Sequence, residues 1–411
     1  MNSETKKRIS AYFESNRDAL KSEFVELLSK FVACRTVNVV KSRLSEFPYL
    51  KERGEESQMS ALVENWAKQE GFEYETHARI PRRGNIILHY GEKKGPFLFV
   101  PGHTDVVPPG DGWDSDPFML KIDGDIVRAR GVADDKGPLA ASLLALKIVK
   151  NAGIRIAGDF QVAALADEEA MGADGIDFGM IYLLENGLVN ADMAIVPDIG
   201  GNMRKIDIAE KGIVNYEVKA TGRQAHGSTP EKGINAINGM AKYLMRLQTH
   251  EFAYTEHPVL GHCTVNVGEI HGGAAPNIVP GGCAAVIDMR LVPGQTAEGA
   301  RLELLQLADG LNCEFTVEIK SQMASHEISK NSELIRIVSD ATEEVCGERP
   351  QTMGLGGGTY AKFLNHAGIE AIGFAPGDHD AMHMANEYAS ISEHLQYAHV
   401  LAIAAAELTG G

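Results

Sequence analysis

Strand-like and helix-like segments alternate along most of this chain, and no other feature narrows its fold as much. Four compact runs rich in β-branched and aromatic residues, at 86–90, 97–100, 160–164 and 193–196, read as strands. Between the second and third lies 138–151, rich in Ala and Leu. Pro138 sits there where a first helical turn tolerates it, and Gly153 marks the end. Strand, helix, strand in this order implies right-handed crossovers and a mostly parallel central sheet covered by helices, an α/β fold. In such sheets ligand sites gather beyond the carboxyl ends of the strands. Apolar residues at helical spacing also run over 9–32 and 57–70.

From about residue 208 the texture changes. Residues 213–220 alternate like a half-exposed strand, 234–247 form an amphipathic helix, 263–267 and 284–291 read as strands, and 298–311 as a second helix. Two helices with antiparallel-looking strands predict an inserted α+β domain over 209–321. The main domain is then split into 1–208 and 322–411. After the insert come a helix at 332–346, the loop Gly354-Leu355-Gly356-Gly357-Gly358-Thr359, a helix at 360–367, a strand at 371–374 and a last helix at 392–407. A chain of 411 residues, 44% of them hydrophobic, has enough apolar material for both cores.

The formal net charge is -17 and no long Lys/Arg block occurs, which argues against nucleic acid and anionic membrane as partners. Five scattered cysteines (Cys34, Cys263, Cys283, Cys313 and Cys346) lack any C-x-x-C spacing, which argues against a disulfide framework and a thiolate zinc site. The first residues lead into a polar amphipathic stretch, and the longest apolar runs, 139–149 and 400–408, are too short for a membrane span. A cytoplasmic setting is expected.

Short acidic and histidine motifs sit at or just past the strand-like runs: His103-Thr104-Asp105, Asp134-Asp135-Lys136-Gly137, Asp167-Glu168-Glu169, Asp198 and His383. Imidazole and carboxylate together bind zinc and similar divalent ions. A spacing of two in an extended segment puts His103 and Asp105 on one side, where Asp105 can hold the other ring nitrogen. Asp134-Asp135 reads either as a helix cap or as a carboxylate bridging two cations. In Asp167-Glu168-Glu169 adjacent charges repel unless solvent or cations relieve them; one glutamate would ligate while its neighbour takes a proton from the attacking water. His379 competes with His383 as a ligand by proximity, and His226 in Gln224-Ala225-His226-Gly227-Ser228 is a lone loop histidine. The glycine loop lacks the Gly-Lys-Ser/Thr ending of a phosphate cradle, and no Gly-x-Ser-x-Gly elbow occurs.

In combination these residues resemble the co-catalytic zinc peptidase and deacylase family that includes acetylornithine deacetylase, succinyl-diaminopimelate desuccinylase, carboxypeptidase G and bacterial dipeptidases. The resemblance rests on Gly102-His103-Thr104-Asp105-Val106-Val107-Pro108, Gly131-Val132-Ala133-Asp134-Asp135-Lys136-Gly137, Asp167-Glu168-Glu169, Ala225-His226-Gly227-Ser228, Ala275-Pro276-Asn277-Ile278-Val279-Pro280 and His383-Met384-Ala385-Asn386-Glu387. It implies a phosphorylase/hydrolase-like catalytic domain and a ferredoxin-like insert acting as lid and dimerisation domain. It implies two zinc ions, with cobalt or manganese as substitutes: His103 and Asp198 on one, Glu169 and His383 on the other, Asp134 bridging, and a cis peptide at Asp134-Asp135. Asp105 would orient His103 and Glu168 would be the general base. His226 would reach a partner's site to stabilise the oxyanion. Asn277, Arg290, Gly357, Gly358 and Thr359 would grip a substrate carboxylate. The expected partners are a small N-acyl amino acid, N-acyl diamino acid or dipeptide and a second copy of the chain. Where the deacylase branches carry Ser/Thr-Asp-Ala-Arg, this chain has Thr359-Tyr360-Ala361-Lys362, closer to the dipeptidase branch. A dipeptidase or carboxypeptidase is therefore the alternative. A non-catalytic metal-binding module is more remote, since Glu168 is present.

Overall fold

Helices α1 (Ser3–Ser15) and α2 (Arg17–Ala33) open the chain, in a computed structural model that describes residues 3–47, 50, 53–170 and 176–411. The helical spacing over 9–32 is thus divided at Asn16, whose side-chain amide donates to Tyr12 O (2.8 Å) and competes with the next helical turn. Then follow α3 (Ser57–Glu70), β1 (Glu73–Ala78), β2 (Gly84–Tyr90) and β3 (Phe97–His103). A short pair, β4 (Lys121–Asp123) and β5 (Ile126–Arg128), precedes α4 (Lys136–Asn151), β6 (Asp159–Leu165), α5 (Met180–Glu185) and β7 (Met193–Val196). Next come β8 (Lys205–Glu210), β9 (Gly212–Thr221), α6 (Ala236–Gln248), β10 (Thr264–Gly272), β11 (Gly282–Leu291), α7 (Ala297–Gln306), β12 (Glu314–Met323) and β13 (His326–Glu327). The chain closes with α8 (Glu333–Cys346), β14 (Gln351–Leu355), α9 (Tyr360–His366), β15 (Glu370–Gly373), β16 (Tyr388–Ser390) and α10 (Ile391–Leu408).

Two compact units divide these elements. The first holds Met1–Ile208, Ile328–Thr352 and Thr359–Gly411, the second Ala209–Glu327 and Met353–Gly358. The first unit's sheet runs β1-β2-β6-β3-β7-β15 and then the start of β8. Its centre is parallel: β3 pairs with β6 from Phe97 opposite Asp159 to His103 opposite Leu165, and β7 pairs in parallel with both β3 and β15. Antiparallel strands flank this centre, β2 beside β6 and β8 beside β15. Because β6, β3 and β7 point the same way, whatever leaves their carboxyl ends emerges along one edge.

Every residue of β6 is buried, as expected for a strand covered on both faces. Helix α4 is buried along almost its whole length among α10, α2, β3 and β6, which explains its continuous Ala/Leu texture. It begins at Lys136, two residues earlier than the proline suggests. A side chain at Gly137 would place its Cβ 2.0 Å from Val132 O, so the loop before α4 can fold this tightly only over glycine. A small antiparallel sheet, β16-β5-β4, sets Tyr388 opposite Arg128.

The second unit is a four-stranded antiparallel sheet in the order β10-β11-β9-β12 with α6 and α7. Its core is formed by alternate residues of β9 and β11 (Tyr216, Val218, Ile287, Met289) with Met240, Tyr243 and Leu304 from the helices. The residue 321 taken as the insert's end lies inside β12. Helix α7 stops at Gln306, short of 311, and Arg246 Nη1 takes up the freed carbonyls of Leu307 and Asp309 (2.7 Å each). None of the five cysteines is paired, and among the described residues no helix is long and apolar enough to cross a membrane.

Candidate metal centre

Three parallel strands deliver three parts of one cluster. His103 is the last residue of β3, Glu168 and Glu169 follow β6, and Asp198 lies two residues past β7. Asp134 comes from the loop ahead of α4, and His383 from the segment ahead of β16. The potential ligand atoms of His103, Asp134 and Asp198 all lie within 4.8 Å of one another, and so do those of Asp134, Glu169 and His383. Asp134 belongs to both groups. Its Oδ1 is 2.7 Å from His103 Nε2 and its Oδ2 2.9 Å from His383 Nε2, while Glu169 Oε2 is 3.3 Å from His383 Nε2. The peptide between Asp134 and Asp135 is cis. His379 is not in either group; its Nδ1 faces Ile199 O at 3.2 Å.

Two contacts add detail to these motifs. His103 Nδ1 donates to the backbone carbonyl of Asp105 (3.0 Å), while the Asp105 carboxylate is 3.6 Å away. A carbonyl can only accept, so this bond places the ring proton on Nδ1 and leaves Nε2 its lone pair when the imidazole is neutral. The Asp105 carboxylate instead takes the backbone N–H groups of Glu168 and Glu169 (3.1 Å each) and the Asn38 amide (2.8 Å). It holds the turn that carries both glutamates. Asp135 stands at the N-cap of α4 but caps nothing with its side chain; its Oδ2 accepts from the His103 N–H (3.0 Å).

Asp167, the first acid of its triplet, points away from the cluster. It has a positive φ of 65°, and its carboxylate accepts from Asn38 and Arg83 (2.8 Å each) and from the Phe178 N–H (3.2 Å). Buried Glu56 completes the other side of Arg83 at 2.6 Å. On the loop carrying Asp134, Glu387 accepts from the N–H groups of Gly131, Ala133 and Asp134 and from Arg130. Asn38, Arg83, Arg130 and Glu387 were not singled out by sequence reasoning. Glu387 ends a quoted motif and Arg130 precedes one; Asn38 and Arg83 carry no local signal.

Burial and like charge dominate the electrostatics. Burial, then repulsion from Asp134 and Glu168, pushes the Asp198 carboxyl well above its ordinary range. Burial also raises Glu168 strongly, with Glu169 and Asp105 adding to it against His103. Glu169 is raised by burial and Asp134. Burial alone would raise Asp134 as well, but the two imidazoles hold it well below. Burial would lower His103, yet Asp105 and Asp134 push it well above its usual value, and Asp134 and Glu169 push His383 to about 10. Oxygen and imidazole donors converging on a shared carboxylate, with further acids crowded behind, form a donor set that divalent cations would neutralise. The residues present fit a pair of such ions.

The second unit holds all but one of the other predicted residues. His226 is exposed and forms an isolated antiparallel bridge with Ile278. Its Nδ1 accepts from the Ser228 N–H (3.1 Å) with the Ser228 hydroxyl at 2.7 Å, so a neutral ring carries its proton on Nε2. Asn277 lies beside it, its carbonyl accepting from the Gly227 N–H (2.8 Å). Arg290 Nε donates to Asp288 (2.8 Å) and its Nη1 to Gly356 O (3.4 Å), so this guanidinium is partly engaged. A Cβ at Gly357 would meet nothing within 4 Å. Gly358 also belongs to this unit. Thr359 belongs to the first unit and caps α9, its hydroxyl accepting from the Ala361 N–H (3.1 Å).

A sequence profile described as "Peptidase family M20/M25/M40" matches residues 99–407. An acetylornithine deacetylase of Myxococcus xanthus is 31% identical over 329 residues, covering 76% of this chain and 80% of that protein. An uncharacterized metallohydrolase of Methanococcus maripaludis is 28% identical, covering 92% and 97% of the two chains. Among solved structures, aminopeptidase PepT of Bacillus cereus superposes with a TM-score of 0.73 at 20% identity over 95% of this chain and 99% of that one, a likeness of fold.

Proposed function

The chain belongs to peptidase family M20/M25/M40, metal-dependent hydrolases of amide bonds, and on that premise we propose that it is a dinuclear zinc amidohydrolase cleaving small N-acyl amino acids or N-acyl diamino acids. The observation that carries the reading is the sharing of Asp134 between two ligand groups. His103 and Asp198 would hold one ion, Glu169 and His383 the other, and Asp134 both. Bound divalent ions would polarise the scissile carbonyl and acidify the attacking water.

This chain's residues then do the rest. Glu168 takes one proton of the water as the water's oxygen joins the carbonyl carbon, and returns it to the departing nitrogen as the C–N bond breaks; the acid product's proton then passes to the amine, leaving carboxylate and ammonium. Asp105 holds the Glu168–Glu169 turn in place. His226, whose Nδ1 accepts from the Ser228 N–H, is assigned to donate from Nε2 to the developing oxyanion of a second copy's site, which requires a homodimer. Asn277, Arg290, Gly357, Gly358 and Thr359 are assigned to the substrate's free carboxylate, where a guanidinium clamps through two parallel bonds.

The competing reading, a metallo-dipeptidase, is favoured by Thr359-Tyr360-Ala361-Lys362. A hydrolysis screen decides between them, with zinc, cobalt and manganese each added to metal-free protein and N-acyl amino acids set against dipeptides. Turnover of acylated substrates supports the deacylase; turnover of dipeptides alone would sink it. Light scattering on the same preparation tests the dimer.

A further inference from the structure

Glu387 lies in no ligand group, yet it is almost fully buried, with 1% of its surface exposed. Its Oε1 accepts from the N–H groups of Gly131 (3.1 Å), Ala133 (2.7 Å) and Asp134 (3.2 Å). Its Oε2 accepts from Arg130 Nη1 (2.7 Å) and again from Gly131 N–H (3.1 Å). A buried carboxylate surrounded only by donors is satisfied solely as the anion with this loop conformation. Arg130 is buried as well, stacked on Trp113 at 5.3 Å, and its Nη2 reaches His383 O at 3.3 Å. The small sheet sets the register: Tyr388 pairs with Arg128, and the Ala129 N–H extends the ladder to Glu387 O (3.2 Å). From that anchor the two segments diverge, one to Asp134 and the other back to His383.

We infer that Glu387 is a positioning residue that, through Arg130 and the backbone of 131–134, fixes the shared ligand Asp134 relative to His383 and so sets the affinity of the Asp134–Glu169–His383 group for its ion. The inference rests on the dinuclear reading above. Glutamine at 387 cannot substitute, because in either amide orientation its NH2 faces the loop's donors. Aspartate keeps the charge but falls one methylene short.

The test titrates metal-free wild type, Glu387→Gln and Glu387→Asp with zinc against a chromogenic chelator, and follows their unfolding without metal and their kcat and KM. For Glu387→Gln the expected result is an affinity for one ion weakened by about tenfold to a hundredfold, the usual cost of losing a partner that orients a ligand. The other ion should be affected less, kcat should fall with KM nearly unchanged, and Glu387→Asp should lie between the two. A residue that merely stabilised the fold would lower the metal-free unfolding midpoint and leave zinc affinity as in wild type; that result overturns the inference. Should Glu387→Gln fail to fold, Arg130→Lys, which keeps the charge but not the reach to both Glu387 and His383, must also weaken zinc binding, and unchanged affinity there is equally fatal. Wild type that takes up no divalent ion would instead overturn the dinuclear reading itself.

Discussion

Glu168 and Glu169 adjoin in sequence but stand differently toward the candidate ligand groups. Glu169 is 3.3 Å from His383 and within reach of Asp134, whereas Glu168 belongs to neither ligand group. Replacing Glu168 by Gln should therefore leave zinc content at the wild-type level and cut turnover by about 10²–10⁴, the range over which a positioned proton carrier contributes. Metal analysis beside initial-rate assays checks both halves, and loss of metal in parallel with rate would return Glu168 to the ligands. Residues of this kind were legible in the sequence because each stands in a short motif at the end of a strand-like run. The residues that hold them were not. Arg130 and Glu387 bond across 257 positions, and Asn38 reaches Asp105 and Asp167 across 67 and 129, distances that leave no periodicity to read. Spacing puts Asp105 on the same side as His103, where its carbonyl meets the ring, but carries no sign that its carboxylate also faces two backbone N–H groups.

Among the elements, α10 carries a testable weakness. His394 is fully buried, its Nδ1 donating to Ser390 O (2.9 Å), and His399 stacks on Phe13 with Ser10 Oγ at 2.9 Å. Burial lowers both imidazoles to about 4, despite Asp125 near the first and Glu344 near the second. Below the unfolded value of about 6.5 the unfolded chain takes protons that the folded chain refuses, so stability is lost as pH falls from about 6.5 toward 4. Each ring contributes on the order of 2–3 kcal/mol over that window. Urea unfolding of wild type and His399→Gln at pH 7.5, 6 and 5 should show a shallower loss in the variant; parallel slopes would refute it. The same elements show where sequence reading of the fold worked. The strands β3, β6 and β7 and helix α4 were visible because burial on both faces makes their apolar runs continuous. The exposed strands β1 and β12 lack such a run: β1 (Glu73–Ala78) has no buried residue and β12 only Val317. The break at Asn16 is invisible to periodicity, since both helices keep their apolar spacing across it.

For the molecule as a whole, the candidate metal centre would link folding to both ion concentration and pH. Without ions, Glu168, Glu169, Asp198 and Asp135 have raised pKa values because burial and one another's charge disfavour the carboxylate. The folded metal-free chain then binds more protons than the unfolded chain above the ordinary carboxylate range, so its stability falls as pH rises through that window. Divalent ions would remove the cause by neutralising the same carboxylates, whose ligand groups form where the loops of the fold converge. At a free zinc concentration a thousandfold above its dissociation constant, one site contributes about 4 kcal/mol. Chelation should therefore lower the unfolding temperature by several degrees, zinc should restore it, and the gap between loaded and metal-free protein should be wider at pH 8 than at pH 5.5. Calorimetric scans at the two pH values, with and without chelator, measure that gap directly. A gap that stayed constant or narrowed with rising pH would mean that the acidic cluster is relieved by something other than cations.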